Sequence, residues 1–321
     1  MQLLWPITGL LALLSAVDGR VIASKRSFLP WERDSSTGFG TLTTQSSSNG
    51  SVLRVVINNP PLNTYDNKLN NDMNDFLLSL VPANITVAAP PPKVVIFTSA
   101  VAEFWMGSYD INLLLPSADP FDTNQTQTLF AQALNYPTLL RTLPTIFIAE
   151  INGRATGTGN EFLLQCDMSF AGPNALVGSV EVAIGGLQGD GGIQYLVRSV
   201  GMHRAAEYLL QSTAINATEA AAVGWVNRAY ASEQELGTAV DAIASRIAIF
   251  DAGALNGTKT AIRAFGPSAE QSAQDIASVE RLFPEEIQIL PKYLELSENQ
   301  TLNAFTLGML RDVESVKELY E

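Results

Sequence analysis

Short runs of apolar, largely β-branched residues interrupt the polar amino-terminal half of the chain, and each run predicts a strand. They cover Ser51–Asn58, Lys93–Ser99 and Thr145–Ile151. Proline follows the first run and precedes the second, which is typical of chain turns. Between them, Asn70–Leu80 places its apolar residues at helical spacing. Strands separated by helical segments favour an α/β fold with a mainly parallel sheet.

Helical patterns dominate the chain after Gly191. Glu233–Phe250 carries apolar residues on one face, and Glu280–Leu296 and Leu302–Tyr320 predict further helices. By contrast, the Ser/Thr/Gly-rich segment Ser35–Ser51 is typical of a linker. We therefore divide the chain into a flexible leader (residues 20–50), a sheet-bearing core (51–250) and a helical carboxyl-terminal region (251–321).

The amino terminus carries a short apolar run, Leu3–Val17, that ends in small residues. It is shorter than the roughly 20 residues that cross a bilayer, and it is typical of a secretory signal peptide over residues 1–19. An uncleaved anchor and a buried segment are the alternatives. Six Asn-x-Ser/Thr glycosylation sequons accompany it, at Asn49, Asn84, Asn124, Asn216, Asn256 and Asn299. We expect a protein of the secretory pathway, or a secreted one, without a stable membrane span after signal removal; an intracellular organelle is the alternative.

Composition and charge exclude several classes of function. Apolar residues make up 46% of the 321 residues and charged residues 16%, which indicates a globular protein. A net charge of −13 argues against nucleic-acid binding, which needs a basic face. With one cysteine, Cys166, and one histidine, His203, we expect neither a disulfide framework nor a Cys- or His-based metal site. Carboxylates remain for acid–base chemistry.

The segment from Asn152 to Gln194 is the one that indicates chemistry. The strand at Thr145–Ile151 leads to Gly157-Thr158-Gly159, and a helix then begins near Asn160. A helix amino end presents unpaired backbone N–H groups that can hold an anion or a developing oxyanion. A plain turn is the alternative, whereas a dinucleotide fingerprint would need a third glycine.

Two carboxylates lie in the same segment. Glu161 falls in the first turn of the predicted helix, and Glu181 follows twenty residues later. Between them, Cys166–Ala171 predicts a strand, so both carboxylates can reach one end of the sheet. Paired carboxylates there can divide general-acid and general-base work. Alternatively, Glu161 only favours the helix start and Glu181 is an ordinary surface residue.

These motifs resemble the crotonase (enoyl-CoA hydratase/isomerase) superfamily, from about Val52 to Arg263. Gly157–Glu161 is similar to its glycine-rich loop and glutamate, Cys166-Asp167 to its Cys-Asp strand, and Glu181 stands at the family's second glutamate. The remaining matches are Asn59–Asn63, Gly191–Gln194, Val200–Ala205 and Ala220–Asn227.

The resemblance implies a crotonase/ClpP-like spiral of ββα units, with a helical carboxyl-terminal region that packs a homotrimer or hexamer. It implies an acyl thioester of coenzyme A as substrate, with coenzyme A as part of that substrate and no other cofactor. Glu161 and Glu181 would be the catalytic pair that adds water to an enoyl thioester. Backbone N–H groups would form the oxyanion hole, from Thr158 and from Ser108 or Tyr109. The substrate-binding residues would be Gly107, Asp110, Gly157 and Gly159.

Some positions depart from the family pattern. Thr158 replaces a common glycine and restricts the loop, because only glycine adopts positive φ freely. Gln188 stands where proline is common, no lysine follows Asp110-Ile111, and the acidic charge does not steer polyanionic coenzyme A. These departures leave an alternative open: a secreted crotonase-fold protein without coenzyme A chemistry, in a binding or scaffold role.

Overall fold

A larger, six-stranded sheet organises the core. The computed structural model describes residues 38–82, 90–110, 135–299 and 317–321. In this sheet the strand order is β1-β2-β3-β5-β7-β10, and all neighbours are parallel except the antiparallel pair β1 and β2. Its strands are β1 Leu42–Ser47, β2 Val52–Ile57, β3 Val94–Ser99, β5 Ile146–Ile151, β7 Met168–Ala171 and β10 Arg228–Ala229.

A smaller, four-stranded sheet runs in the order β4-β6-β8-β9. Strands β4, β6 and β8 are parallel, and β9 pairs with β8 in the antiparallel sense. All four are only three residues long: β4 Phe104–Met106, β6 Arg154–Thr156, β8 Leu176–Gly178 and β9 Ala214–Asn216. The register places Thr156 opposite Gly178, so the residues that follow β6 and β8 lie side by side.

The chain alternates between the two sheets. It runs from β3 to β4, then from β5 to β6, and finally from β7 to β8, so each turn contributes one strand to each sheet. A helix follows the β5–β6 pair directly. This architecture confirms the predicted α/β fold built from a spiral of ββα units.

Nine α-helices occur in the described residues. They are α1 Asn67–Ser79, α2 Asn135–Thr142, α3 Thr158–Gln165, α4 Gly192–Val200, α5 Met202–Gln211, α6 Ala217–Val223, α7 Glu233–Ala248, α8 Ala252–Arg263 and α9 Ala269–Asn299. Helix α1 begins earlier than the apolar spacing predicts, because the Asp66 side chain accepts hydrogen bonds from the N–H groups of Lys68 and Leu69. Helix α9 contains the predicted Glu280–Leu296 helix. Most of the predicted Leu302–Tyr320 helix lies outside the described residues, as does the proposed signal peptide.

The predicted linker is wrong for residues 42–50, because they form β1 and a short 3-10 turn. Strand β1 pairs with β2 along its full length, and the Asp72 carboxylate accepts hydrogen bonds from the backbone and hydroxyl of Thr41 beside it. Only Leu42 of this strand is buried, so it lacks the apolar alternation that marks a strand in a sequence. The strand predicted from Cys166 begins at Met168, because the N–H of Cys166 still bonds back to helix α3.

Helix α3 lies at the centre of the core and is buried along its whole length. Phe162 on this helix contacts the rings of Phe97, Tyr136 and Trp105 at centroid distances of 5.0, 5.1 and 6.1 Å. The indole N–H of Trp225 donates to Asn160 Oδ1 at 2.9 Å. These contacts hold the helix from several sides. No helix in the described parts of the chain is both long and apolar enough to span a membrane.

Candidate active site

Three loops meet at one edge of the smaller sheet. One follows β4, the second follows β6 and the third follows β8, and these three strands are parallel neighbours. Because the carboxyl ends of parallel neighbours lie at the same edge of a sheet, the three loops converge. The first contains Ser108, the second contains Gly157 and Thr158, and the third contains Glu181. The predicted site residues are therefore brought together.

The first loop is fixed by its backbone. The N–H of Gly107 donates to Asn63 O at 3.0 Å, and the N–H of Tyr65 donates to Ser108 O at 3.0 Å. Tyr109 forms an isolated parallel bridge with Tyr65. The backbone N–H groups of Ser108 and Tyr109 have no acceptor among the described residues. An N–H group without an acceptor in the protein can donate to a bound group.

The second loop turns at Gly157, which has φ +54°. Thr158 is the first residue of α3 and has helical backbone angles, so the expected restriction at this threonine does not arise. Its N–H also has no acceptor among the described residues. Gly159 N–H donates to Gly107 O at 3.2 Å, which ties the two loops together. A side chain at Gly159 would overlap the carbonyl of Met106, so only glycine allows this approach.

Glu161 is buried in the first turn of α3, with 5% of its surface exposed. Its Oε1 accepts hydrogen bonds from the N–H of Asp190 at 2.9 Å and of Gly192 at 3.3 Å. Burial raises the pKa of Glu161 well above its ordinary value, and the charges of Asp190 and Glu181 raise it further. The two backbone hydrogen bonds oppose this shift without cancelling it.

Glu181 follows β8 and is half-buried. Its Oε2 accepts hydrogen bonds from the Ser179 hydroxyl and, at 3.2 Å, from Gln188 Nε2. Burial raises the pKa of Glu181, against the effect of the Ser179 hydrogen bond. A Cβ atom placed on Gly157 would lie 2.5 Å from Ser108 Oγ and 3.1 Å from Glu181 Oε1. Glu181 therefore faces the two glycine-bearing loops at close range.

The sequence did not single out Asp190 or Tyr136 as site residues. Tyr136 lies on α2, and its hydroxyl donates to Asp190 Oδ2 at 3.0 Å. Burial is the main cause that raises the pKa of Asp190 to about 7. The glycine-rich Gly189–Gly192 segment predicts the start of a helix, and α4 does begin at Gly192. Nothing in this segment predicts that Asp190 lies beside Glu161. Tyr136 carries no local signal of a site.

The other candidate residues lie as follows. Asp110 is half-buried at the end of the described part of the first loop. Cys166 is buried, and burial raises the pKa of its thiol, which makes it unreactive. His203 is exposed on α5. Among the described residues, no group of three His, Cys, Asp or Glu side chains is arranged to hold a metal ion.

The arrangement combines two features that acyl chemistry uses. Glu161 and Glu181 are carboxyl groups whose pKa values are raised by burial, and carboxyl groups can act as general acids and bases. Ser108 and Thr158 offer backbone N–H groups from adjacent loops. Such donors stabilise negative charge on a carbonyl oxygen when they point to the place where that charge develops.

Comparison with known proteins gives a consistent result. A sequence model of the enoyl-CoA hydratase/isomerase family matches residues 47–284. The 2,3-dehydroadipyl-CoA hydratase of Escherichia coli is 32% identical over 216 residues, which are 66% of this chain and 78% of that protein. The crotonyl-CoA hydratase of Syntrophomonas wolfei is 40% identical over 109 residues, which are 34% of this chain and 42% of that protein.

A solved structure agrees with the sequence relatives. The structure of a protein assigned as an enoyl-CoA hydratase from Streptomyces avermitilis is 31% identical, with a TM-score of 0.70. The match covers 88% of this chain and 98% of that one. The chain belongs to the enoyl-CoA hydratase/isomerase family and is an enzyme of the hydratase/isomerase type.

Proposed function

We propose that this enzyme adds water to the conjugated double bond of an enoyl-CoA thioester, with Glu161 and Glu181 as its acid–base pair. The observation that carries the proposal is the placement of these two carboxyl groups at the loops after β6 and β8, beside two backbone N–H donors. The Escherichia coli and Syntrophomonas wolfei relatives are hydratases of enoyl-CoA thioesters by name, which supports the same substrate class here.

The reaction requires one proton on the glutamate pair. The ionised carboxylate accepts a proton from water as the water oxygen bonds to Cβ, and the protonated carboxyl group delivers a proton to Cα. The thioester carbonyl oxygen takes up negative charge during the addition. The N–H group of Thr158 and that of Ser108 or Tyr109 stabilise that charge. The loops that hold the thioester contain Gly107, Asp110, Gly157 and Gly159. After the addition, the glutamate that was ionised carries the proton and its partner is ionised. Transfer of this proton back to the partner restores the starting state.

The first experiment is turnover of a short enoyl-CoA by the purified full chain and its Glu161→Gln and Glu181→Gln variants. We expect each variant to lose about 10²–10⁴-fold in kcat, because each removes one proton-transfer group. Glu207→Gln, on the exposed surface of α5, is the matched control and should retain full turnover. If only one of the two site variants loses turnover, the hydration proposal is wrong and a single-base reaction such as isomerisation takes its place.

The oxyanion hole has a separate test at Thr158. Proline is well tolerated at the first position of a helix, where it removes the backbone N–H and little else. Thr158→Pro should therefore keep the fold and lower kcat by about 10²–10³-fold. Thr158→Ala keeps the N–H and is the matched control, with kcat near that of the parent. Equal activity of both variants would exclude the Thr158 N–H from the oxyanion hole.

A second candidate function rests on charge. The net charge of −13 opposes binding of polyanionic coenzyme A, which favours a crotonase-fold protein with a binding or scaffold role. Isothermal titration with a short acyl-CoA separates the two candidates. Binding supports the enzyme, whereas absence of both binding and turnover supports the scaffold.

We also propose the cellular setting and the assembly that the sequence predicts. Leu3–Val17 supports entry into the secretory pathway, and amino-terminal sequencing of the protein from its native host would locate a cleavage. Exposed apolar side chains near α7 and α8, at Ile249, Ile262 and Phe265, support a homotrimer or hexamer. Light scattering of the purified chain measures that state directly.

A further inference from the structure

A third acidic residue, Asp190, lies beside Glu161 in the candidate active site. It lies in the loop before α4, and its backbone N–H donates to Glu161 Oε1 at 2.9 Å. The N–H of Gly192, two residues on, donates to the same oxygen at 3.3 Å. The segment that carries Asp190 therefore holds the carboxyl group of Glu161 in place.

The same segment is anchored from two other directions. Gln165 Nε2 donates to the backbone oxygen of Asp190 at 2.7 Å and to that of Glu161 at 3.3 Å. On the opposite side, the hydroxyl of Tyr136 donates to Asp190 Oδ2 at 3.0 Å. Tyr136 is only 1% exposed and stacks on Phe162 of α3, so this partner is rigid. The Asp190 carboxylate thus has a fixed position.

No cation neutralises this group of acids within the described residues. The four ion pairs found there involve Arg54, Lys259 and Arg263, and none includes Glu161, Glu181 or Asp190. The titratable groups that interact with Asp190 are acids and phenols from the surrounding elements: Tyr65, Tyr109, Tyr136, Glu161 and Glu181.

Negative charge on one member of such a cluster raises the proton affinity of the others. The charge of Asp190 is the largest contribution to the raised pKa of Glu161 after burial itself. Hydration needs one proton on the glutamate pair, so a neighbour that keeps the proton there extends activity toward alkaline pH. The Tyr136 hydrogen bond favours ionised Asp190 and thereby supports this effect.

We propose that Asp190 is a positioning residue of the hydration reaction: its backbone orients the Glu161 carboxyl group, and its carboxylate, held by Tyr136, retains the catalytic proton on the Glu161–Glu181 pair. This inference rests on the proposed function. The carboxylate acts through the glutamates and does not itself touch the reacting atoms.

Asp190→Asn tests the charge alone. Asparagine keeps the backbone N–H to Glu161 and an acceptor for the Tyr136 hydroxyl, but it carries no negative charge. We expect the alkaline limb of the kcat/KM profile against pH to move about one pH unit toward acid, because the glutamate pair loses its proton more readily. Asp251→Asn, at the exposed start of α8, is the control and should leave the profile unchanged.

A second readout does not depend on turnover. In the free full chain with 13C-labelled glutamate carboxyl groups, the Glu161 signal is assigned by its loss in Glu161→Gln. Its NMR titration midpoint should fall by about one pH unit in Asp190→Asn. If this midpoint falls in a protein that does not hydrate enoyl-CoA, the proposed function is wrong while the role of Asp190 in proton retention stands. If the enzyme hydrates but neither the midpoint nor the alkaline limb moves, the charge of Asp190 has no such role.

Discussion

Buried or half-buried acidic side chains occur in two regions of this enzyme, and their hydrogen-bond partners differ in charge. Asp167, after α3, contacts Lys259 Nζ at 2.9 Å and Arg263 Nη2 at 2.8 Å, and it also accepts a hydrogen bond from the N–H of Phe147. Glu161 and Glu181 have only neutral hydrogen-bond donors among the described residues. The first arrangement fixes helix α8 to the sheet, whereas the second leaves carboxyl groups able to exchange protons.

The two kinds of buried acid therefore differ in the charge of their hydrogen-bond partners. An ion pair stabilises the ionised carboxylate and holds it against its cationic partners. Neutral donors orient a carboxyl group but leave burial to raise its pKa. Changes at Asp167, at Gln188 and at Glu161 test this contrast, because each removes or adds a charge beside one of these acids or on it.

The largest effect is expected from Asp167→Asn. Lys259 is 4% exposed, so loss of its anionic partner leaves a buried charge unpaired and should lower the free energy of unfolding by about 3 kcal/mol. Urea denaturation of the parent and the variant measures the difference. The control is Asp241→Asn, at the exposed end of the Arg54 ion pair, which should cost less than about 0.5 kcal/mol. Equal losses of unfolding free energy in the two variants would mean that the buried Asp167–Lys259 pair matters no more than the exposed Arg54–Asp241 pair.

The second prediction places a cation in the catalytic region. Gln188 is buried and lies 3.2 Å from Glu181 Oε2, so Gln188→Lys should pair with Glu181 and lower the pKa of its carboxyl group. A lower pKa makes Glu181 a weaker base and a poorer carrier of the proton that the pair shares, so kcat for hydration should fall about 100-fold.

Gln188→Met is the matched control for this change, since it has a similar length and no charge. We expect it to keep most of the activity. Circular dichroism checks that both variants fold. Undiminished hydration by Gln188→Lys would show that an ion pair at Glu181 does not interfere with proton transfer.

The smallest effect is a pH dependence of stability. In the unfolded chain Glu161 loses its proton near pH 4.3, and in the folded chain it does so at a higher pH. Between these values the folded state binds more protons, so the stability of the parent falls as pH rises. Glu161→Gln does not titrate there, so it should be more stable than the parent at pH 8, with little difference at pH 4. Thermal unfolding across this range measures the gap, and a constant gap would contradict the raised pKa.

Much of the fold could be predicted because its longer elements have regular patterns. Strands β2, β3 and β5 are six residues long and largely apolar, and the helix at α3 follows a glycine-rich loop. The positions of Glu161 and Glu181 at the family's motifs led to the pair that the structure brings together. This prediction was possible because each family motif is a short stretch of sequence, and this part of the site is built from two such stretches, which follow β6 and β8.

The missed features depend on long-range contacts. Strand β1 is rich in threonine and serine and buries only Leu42, so its pairing with β2 leaves no trace in apolar spacing. Three-residue strands such as β4 and β6 are too short for alternation to be recognised. Asp190 and Tyr136 are 54 residues apart in the sequence, and only tertiary packing joins them.

The placement of the three site loops also bears on how such an enzyme can change over evolutionary time. Ser108, Thr158 and Glu181 each follow a different short strand, in a different turn of the spiral, while the strands of the larger sheet contribute residues to two separate hydrophobic clusters of the core. Insertion or exchange in one loop therefore leaves the register of the other two intact. Selection can retain the loops after β4 and β6 and change the loop after β8, so a lineage can acquire a new reaction without first rebuilding its scaffold.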